Sequence, residues 1–405
     1  MAGQPVGSEA RLRTATYLYH AINDGVGFLV PTAMGRMVDQ FGLTFFQVNA
    51  AFATNVLATL LLQVACGYWV DAGRGRSALL FGPVLLAGTT LFLPLAQNFR
   101  SLLLLNALSG VALGIQHPTT YAVTARLSPA GERGRRMGVQ AASGDAGKLT
   151  AIASTSAALL SGGTWQVAFL AWGVASAAAA GAVIVLARDS ASLPVWLDQR
   201  QARMANYKEP APPRPRRHLL PMFAAYGSFV AYNAAFDLDV KNFTAYARVA
   251  RPGRLGPVAE AVYVAMVSAG ALGAFLSGRV TSRFGQRSAL VIEFLCCAAC
   301  LLAFLLAGDL LWASAAAACG FTFFQFLAYP AILSAASEVA SPGRHGSTFG
   351  LILSVGWLGG AIAGPLGGLL ADAAGPDAIY WLSVAAVLVA LVLSTLPGDS
   401  LVEPE

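Results

Sequence analysis

The sequence predicts an all-α integral membrane protein with twelve transmembrane helices in two halves of six. Hydrophobic residues make up 56% of its 405 residues and charged residues 11%, whereas a typical soluble domain is about 25% charged. The apolar residues also fall into runs of about 20, the length an α-helix needs to cross roughly 30 Å of hydrocarbon. Because backbone amides in lipid must be hydrogen-bonded within their own segment, these runs are expected to be helices.

A polar, proline-rich stretch over residues 188–217 divides the apolar runs into two sets of six. It contains Pro210, Pro212, Pro213 and Pro215, which is typical of an extended linker. The sequence therefore predicts an N-terminal six-helix half over 1–187, a cytoplasmic linker, and a C-terminal six-helix half over 218–405. The expected helices span residues 14–35, 47–70, 77–97, 101–125, 137–161, 164–187, 218–240, 257–279, 288–307, 310–336, 346–371 and 378–396.

The net charge of +6 is explained by membrane topology, and no nucleic-acid partner is expected. Most Lys and Arg residues lie in loops on one side of the predicted bundle, which favours cytoplasmic termini in a bacterial inner membrane. The loop after the seventh helix is an exception, because it places Lys241, Arg248, Arg251 and Arg254 on the outer side. Either this loop meets an anionic ligand or a helix boundary there is misplaced.

A glycine- and arginine-containing loop follows the second helix of each half. Glycine allows two helices to approach, an acidic residue can cap a neighbouring helix N-terminus, and basic residues stay in the headgroup layer. Such an internal repeat is typical of transporters whose halves are related by a pseudo-twofold axis. The first copy contains Gly67, Asp71, Arg74 and Arg76, and the second contains Gly278, Arg283, Gly285 and Arg287.

These loops resemble the signature loop of the major facilitator superfamily, Gly-x-x-x-Asp-Arg-x-Gly-Arg-Arg, although Ser282 replaces the acid in the second copy. His20, Asn23 and Asp24 in the first helix, with His117 before a proline in the fourth, are similar to the fosmidomycin-resistance branch of that superfamily. The resemblance implies the major facilitator fold and proton-driven efflux, by antiport, of a small and often anionic compound.

Three ionisable residues lie near the middle of predicted helices, where each costs about 2.5–3.5 kcal/mol. They are Asp24 in the first helix and Asp145 and Lys148 in the fifth. Asp145 and Lys148 share a helix face because they are three residues apart, and a desolvated lysine can lose its proton. We expect the three to form a coupled charge set for substrate and protons. The alternative is that Asp145 and Lys148 are a structural ion pair.

Other polar residues are candidates for the same site. His20 and His117 can titrate near neutral pH and are candidate proton carriers beside Asn23; alternatively each hydrogen-bonds a neighbouring helix. Polar residues also tie helices together, with about 0.6 kcal/mol each. The candidate substrate contacts are Gln116, Asn106, Tyr232, Asn233 and Gln325.

Three further features are expected to serve structure. Asp237, Asp239 and Lys241 at the end of the seventh helix are expected to be solvated interface charges, with an outer gate as the second interpretation. Glu293 is expected to reach the membrane interface. A row of glycines in the eleventh helix, from Gly356 to Gly368, is expected to be a packing surface.

The sequence contains no recognisable catalytic motif, so we expect no enzyme and no cofactor. Cys297 and Cys300 have one-turn spacing, but cysteine in a lipid helix usually acts as a small hydrophobe, and no metal site is expected. These patterns favour a secondary active transporter that works by alternating access, with a small solute, protons and the bilayer as its partners. The resemblance to the superfamily implies a monomer. The alternatives are an uptake symporter for an organic acid, nutrient or metal complex, and a non-transporting receptor or scaffold.

Overall fold

The computed structural model describes residues 6–128, 132–191, 193–196, 219–338 and 345–396. Within these ranges every regular element is a helix, as lipid-embedded backbone requires. Most of the expected linker, including Pro210, Pro212, Pro213 and Pro215, lies outside the described residues.

The first half begins with a helix that is interrupted once. A single turn residue, Phe28, separates α1 from α2, and its backbone N–H donates to the carbonyl of Gly25 at 3.1 Å. Together α1 and α2 correspond to the first expected helix. The helices of this half are α1 (Val6–Gly27), α2 (Leu29–Phe41), α3 (Phe45–Trp69), α4 (Gly75–Phe92), α5 (Phe99–Arg126), α6 (Arg133–Leu160) and α7 (Trp165–Ala187).

The second half contains one short helix that the apolar pattern does not predict. It is α9, which lies in the basic loop after the seventh expected helix. The described residues contain the twelve predicted helices when α1 and α2 are counted as one helix and the short α9 is not counted. The helices of this half are α8 (Leu219–Asp239), α9 (Phe243–Ala250), α10 (Ala259–Phe284), α11 (Gln286–Leu306), α12 (Leu311–Glu338), α13 (His345–Ala374) and α14 (Ala378–Thr395).

Eight helical segments of the described chain are long and apolar enough to cross a bilayer. One of them, Phe45–Leu95, joins two of the expected helices. The first, fifth and seventh expected helices are not among the eight. They are the helices that carry Asp24, the Asp145 and Lys148 pair, and Asp237 with Asp239.

The chain forms two compact units that exchange short segments between the halves of the sequence. One unit comprises Met1–Val30, Thr54–Arg214 and Ser341–Ser354. The other comprises Pro31–Ala53, Pro215–Ala340 and Val355–Glu405. Helices α2, α3 and α13 are therefore each divided between the units.

In the first unit, α1 packs against α5, α6 and α7. Glycines make the contact with α6 very close: a Cβ atom on Gly147 would lie 1.8 Å from the carbonyl oxygen of Ala21. On the other side of this contact, a Cβ on Gly25 would lie 2.9 Å from the Trp172 ring. Small residues at such positions let two membrane helices approach, and this approach brings the polar residues of α1 and α6 together.

In the second unit, α8 packs against α12 and α14 and against the glycine row of α13. A Cβ on Gly359 would lie 1.9 Å from the carbonyl oxygen of Val230, and one on Gly367 would lie 2.3 Å from the Leu238 side chain. The predicted packing surface of the eleventh expected helix is therefore confirmed.

Candidate functional site

Asp24 in α1 lies at the centre of a buried group of basic side chains in the first unit. Its Oδ2 atom lies 3.4 Å from Nε2 of His20 and 3.3 Å from Nζ of Lys148. Its Oδ1 atom lies 3.6 Å from Nε2 of His117. The Asp24 side chain is only 9% exposed. Three helices, α1, α5 and α6, therefore bring one acid and three bases together, and we call these residues with Asp145 the Asp24 cluster.

Lys148 connects the two carboxylates of the cluster. Its ammonium group lies 3.0 Å from Oδ1 of Asp145, one helical turn away, as well as 3.3 Å from Asp24. The Asp145 side chain is more exposed than Asp24, at 28% against 9%. The pair is therefore not closed on itself, because its lysine also contacts an acid on another helix.

His20 is oriented by a backbone carbonyl. Its Nδ1 atom lies 2.7 Å from the carbonyl oxygen of Gln140 in α6. A carbonyl only accepts hydrogen bonds, so Nδ1 carries a hydrogen and Nε2 faces Asp24. A neutral His20 would then direct a lone pair at a carboxylate, whereas a protonated His20 donates to both partners. His20 therefore contacts a backbone carbonyl through one ring nitrogen and the Asp24 carboxylate through the other.

Side-chain amides extend the cluster along α1 and α5. The Asn23 amide donates to Asp24 and to Oε1 of Gln116, both at 3.5 Å, and Gln116 donates to the Thr120 hydroxyl at 2.7 Å. The Oδ1 atom of Asn23 is buried without a hydrogen-bond partner. Asn23 and Gln116 thus lie with the charged residues, as the sequence predicts.

Sequence reasoning missed three contributors to this site. Tyr121 packs against both imidazoles, with ring centroids 5.5 Å from His20 and 6.0 Å from His117. Gly144 leaves room for the contact, since a Cβ there would lie 2.7 Å from both the Asp24 carboxylate and the His20 ring. Gln140 contributes its backbone carbonyl. The i, i+3 and i, i+4 spacing of Gly144, Gly147 and Lys148 was the available signal.

The cluster can hold a small cation. One ligand atom each of His20, Asp24 and His117 lies within 4.8 Å of the others, and His20 has the carbonyl partner that metal-binding histidines commonly have. A tetrahedral metal ion would need ligand atoms about 3.3 Å apart. The Lys148 ammonium, however, already contacts the same carboxylate and would repel a metal ion. A proton satisfies the arrangement without moving Lys148.

The remaining candidate substrate contacts have partners other than the residues of the cluster. Asn106 in α5 is tied to Asn55, whose amide donates to its backbone carbonyl at 2.8 Å. Asn233 donates to the Phe229 carbonyl within its own helix at 2.8 Å. Tyr232 packs on Phe236 and Tyr329, with ring centroids 6.4 and 5.6 Å away. Asn233, Tyr232 and Gln325 all belong to the second unit.

The expectation that Asp237 and Asp239 are solvated interface charges is wrong. Asp237 is 5% exposed and Asp239 has no exposed surface. Lys241 lies 2.6 Å from the Asp237 carboxylate, while Asp239 accepts hydrogen bonds from Gln325 and Ser383 at 3.2 and 2.8 Å. These acids are buried because α12, α13 and α14 surround the end of α8, which the sequence of α8 does not indicate.

The expectation that Glu293 reaches the membrane interface is also wrong. The residue has no exposed surface, and neither carboxylate oxygen has a hydrogen-bond partner. It faces inward from α11, whose neighbours α12 and α14 cover the side on which it lies.

The comparisons with known proteins identify the family. A family model described as Major Facilitator Superfamily matches residues 16–364, which is most of the chain. The chain belongs to the Major Facilitator Superfamily. It is therefore a multi-pass membrane transporter of that superfamily, which is not an enzyme class.

Two individual proteins are similar to this superfamily member. The fosmidomycin resistance protein of Escherichia coli (strain K12) is 25% identical over 388 residues, covering 95% of this chain and 92% of the relative. A crystal structure of a bacterial homologue of the human lysosomal transporter Spinster, inward-facing and occupied, has a TM-score of 0.68 and 15% identity. The match covers 97% of this chain and 96% of the other. The predicted major facilitator fold and the predicted resemblance are confirmed.

The first superfamily signature loop makes the contacts that its residue types predict. The Asp71 carboxylate accepts hydrogen bonds from the backbone N–H of Gly346 at 3.0 Å and of Ser347 at 2.8 Å. It thereby caps the first turn of α13, and Arg126 donates to it at 2.9 Å. A Cβ on Gly67 would lie 2.6 Å from the Gly346 carbonyl oxygen, so this glycine permits the approach. Arg74 is exposed, and Arg76 donates to the Arg188 carbonyl.

The second superfamily loop differs from the first. A Cβ on Gly278 would meet nothing within 4 Å, so the expectation that this glycine permits a close approach is wrong. Gly285 is favoured by the backbone conformation between α10 and α11. Its φ is +76°, in the left-handed region that glycine adopts most readily. Arg283 and Arg287 are exposed, and Arg287 donates to the Thr395 carbonyl. The second copy serves as a turn and surface charge, with no helix cap by an acid.

The expected helix boundaries on both sides of the basic loop are correct to within two residues, since α8 ends at Asp239 and α10 begins at Ala259. Glu260 is buried and accepts from Arg36 and Arg248, each at 2.8 Å. Arg251 donates to the carbonyls of Phe304 and Gly308. All these residues belong to the second unit. Of the loop's four cations, Lys241 and Arg248 pair with acids, Arg251 binds neutral groups, and Arg254 is exposed.

Proposed function

We propose that this chain is a proton-coupled secondary active transporter that exports a small anionic or zwitterionic solute. It works by alternating access in the bacterial inner membrane, with both termini cytoplasmic. The observation that carries the proposal is the Asp24 cluster, in which one buried carboxylate contacts two imidazoles and an ammonium group. Ionisable groups at membrane depth persist where a function requires them.

The charge balance of the cluster requires one proton. Asp24 and Asp145 contribute two negative charges, and Lys148 contributes one positive charge. One proton on an imidazole neutralises the group, and buried charge is tolerated only when it is compensated. His20 is the imidazole that contacts both a backbone carbonyl and the Asp24 carboxylate. We assign the exchangeable proton to His20, with Asp24 as the acid that retains it.

A zwitterionic solute can exchange for this proton. Its cationic end would occupy the position beside Asp24 that the His20 proton neutralises, and its anionic end would contact Lys148. Lys148 keeps Asp145 as a second partner at 3.0 Å, so it can turn from Asp24 to the solute without losing its charge compensation. Binding of the proton and of the solute would then exclude each other, which is the requirement for antiport.

The export direction is supported by the similarity to a protein named for resistance to fosmidomycin. The runner-up is an uptake symporter for an organic acid, nutrient or metal complex, and the same lysine favours it for a purely anionic solute. An anion binds more tightly when the cluster is protonated, because the proton adds positive charge. The sign of the coupling between proton and solute therefore separates the two functions.

The test uses purified protein in liposomes with a trapped pH-sensitive dye and an imposed pH gradient. Fosmidomycin, other phosphonates, carboxylates and amino acids are added to wild type, Asp24→Asn and Lys148→Ala. Lys241→Ala serves as the matched control, because it removes a lysine that is about as exposed as Lys148 and pairs with Asp237 outside the cluster. We expect solute-dependent proton flux in wild type and Lys241→Ala, with a loss of at least about tenfold in the two cluster variants.

Equal flux in wild type and Lys148→Ala would contradict the role of Lys148. A rate of solute transport that does not change with the pH gradient would contradict proton coupling. Direction is read from everted membrane vesicles, where an exporter accumulates solute. Cytoplasmic termini are tested with reporter fusions at the C-terminus.

A further inference from the structure

The second unit contains a buried carboxylate that the proposed transport chemistry does not use. Asp239, the last residue of α8, has no exposed surface. Its Oδ2 atom accepts from Ser383 in α14 at 2.8 Å and from Gln325 in α12 at 3.2 Å, and its Oδ1 atom accepts from the Val240 backbone N–H. The Tyr380 hydroxyl donates to the Asp239 backbone carbonyl at 3.2 Å. Three helices therefore converge on this one acid.

The donors around Asp239 are all neutral. Among the described residues, no Lys, Arg or His nitrogen lies within 4 Å of its carboxylate. The ionisable groups that interact with it are Asp237 on α8, Cys297 on α11 and Tyr380 on α14, and none of them supplies a positive charge.

The two cations of this region are bound elsewhere. Lys241 pairs with Asp237, and the guanidinium of Arg251 donates to two carbonyls and to Ser314. If Asp239 were ionised, its buried negative charge would be compensated only by neutral dipoles. Because such a buried charge is unfavourable, protonation of Asp239 is favoured.

Gln325 can accommodate either protonation state of Asp239. The residue is 1% exposed, its Nε2 donates to Asp239, and its Oε1 is buried and finds no hydrogen-bond partner among the described residues. When Asp239 is ionised, the amide nitrogen donates to it. When Asp239 is protonated, the amide can turn over so that Oε1 accepts the new O–H. The partnerless amide oxygen is therefore the acceptor that the protonated acid needs.

We propose that Asp239, with Gln325 and Ser383, is a second proton-binding site, separate from the Asp24 cluster. The step is a simple acid–base equilibrium: a proton joins an Asp239 carboxylate oxygen, the hydrogen bond from Gln325 reverses, and the acid becomes neutral. Ser383 remains a donor to the other lone pairs. A chain with one such site in each unit binds two protons per molecule.

The test needs no transported solute, because the ligand is the proton itself. Infrared difference spectra of the full-length protein in detergent, between acidic and alkaline buffer, report protonated carboxyl groups by their C=O stretching band. The variants are Asp239→Asn, Asp24→Asn and Glu293→Gln. Glu293→Gln is the matched control, because Glu293 is equally buried but has no hydrogen-bond donor.

We expect a titrating band component in wild type that persists in Asp24→Asn and Glu293→Gln and is absent from Asp239→Asn. Ser383→Ala should keep that component and raise its midpoint by about one pH unit, because the ionised form loses a donor. An unchanged component in Asp239→Asn would overturn the proposal. So would a sodium-dependent loss of the component at constant pH, which would identify a sodium site.

Should Asp239→Asn fail to fold, Ser383→Ala and Gln325→Leu decide, since both must shift the midpoint if the site is real. The Asp24 cluster is proposed to hold its proton on the His20 imidazole, so it adds no protonated-carboxyl component and is read from the liposome flux instead. A negative result at one site therefore leaves the other untouched.

Discussion

Asp24 in the first half and Asp239 in the second half are both largely buried, but different kinds of group compensate them. In the first half, Asp24 contacts three basic groups, one of which it shares with Asp145. In the second half, Asp239 is held by a hydroxyl, a side-chain amide and a backbone N–H. A charged partner of an acid can be replaced by a charged group of an ionic solute. Neutral hydrogen-bond donors can only adjust to the gain or loss of a proton. The difference supports placing the ionic solute of the proposed transport cycle in the first half.

The same asymmetry appears in the two signature loops. In the first, Gly67 touches Gly346 and Asp71 caps the start of α13. In the second, Gly278 has open space around it, and the hydroxyl of Ser282 only donates to the Arg279 carbonyl within its own helix. An internal repeat in sequence therefore does not imply a repeat in contacts.

The largest expected effect comes from removing the cation of the Asp24 cluster. Lys148→Leu leaves two carboxylates without their shared partner and should lower the free energy of unfolding by about 3 kcal/mol. Asp239→Asn should cost about 1 kcal/mol, because its neutral partners can still hydrogen-bond an amide. Denaturant unfolding in micelles measures both. The control is the double variant Lys148→Leu with Asp145→Leu, which should recover part of the lost free energy of unfolding. Equal losses in Lys148→Leu and Asp239→Asn would contradict the difference between the two halves.

The next effect concerns helix approach. Gly147→Ala would force a Cβ against the Ala21 carbonyl at 1.8 Å, and overpacking typically costs about 1–3 kcal/mol. Gly278→Ala meets nothing within 4 Å and should be neutral or stabilise α10 by up to about 1 kcal/mol. Thermal unfolding midpoints test the pair. A stable Gly147→Ala protein would show that α1 and α6 can separate without cost.

A smaller effect is expected for the loop acid. Asp71→Ala removes the cap of α13 and should cost about 1–2 kcal/mol, and it also leaves Arg126 without its carboxylate partner. Ser282→Ala, at the equivalent position of the second loop, should change stability by less than about 0.5 kcal/mol. The exchange rates of the backbone N–H groups of Gly346 and Ser347 measure the cap directly, because these two groups donate to Asp71. Unchanged exchange there in Asp71→Ala would show that other groups fix this turn.

The smallest effect is expected for an exposed ion pair near the start of α6. Its stabilisation can be compared with that of the buried acids. Arg136 donates to the Glu132 carboxylate at 3.0 Å and holds the pKa of that carboxyl below its ordinary value. The stabilisation is present above the ordinary carboxyl pKa and is lost as the pH falls through the lowered one. Glu132→Gln should therefore lower the unfolding midpoint slightly at neutral pH and not in acid. An equal change at both pH values would show that charge is not involved.

Much of the fold could be predicted from the sequence because lipid imposes a simple rule on the backbone. Runs of about 20 apolar residues must be helices, and the twelve expected runs are present in the described chain. The break at Phe28 and the short helix α9 were not predictable, because both depend on which neighbours satisfy the local backbone. The Asp145 and Lys148 pair follows from helical spacing.

The sequence by itself determined the fold class, the two six-helix halves, the glycine surface of α13 and the list of ionisable residues near mid-membrane. Only the tertiary structure decided which of those residues meet: His20, His117 and Lys148 converge on Asp24 because Gly144 and Gly147 let α6 approach α1. It also decided that Asp237, Asp239 and Glu293 are buried. The physical reason is that a sequence shows how far along a helix a residue lies, while the packing of other helices decides whether that side of the helix meets protein, lipid or water.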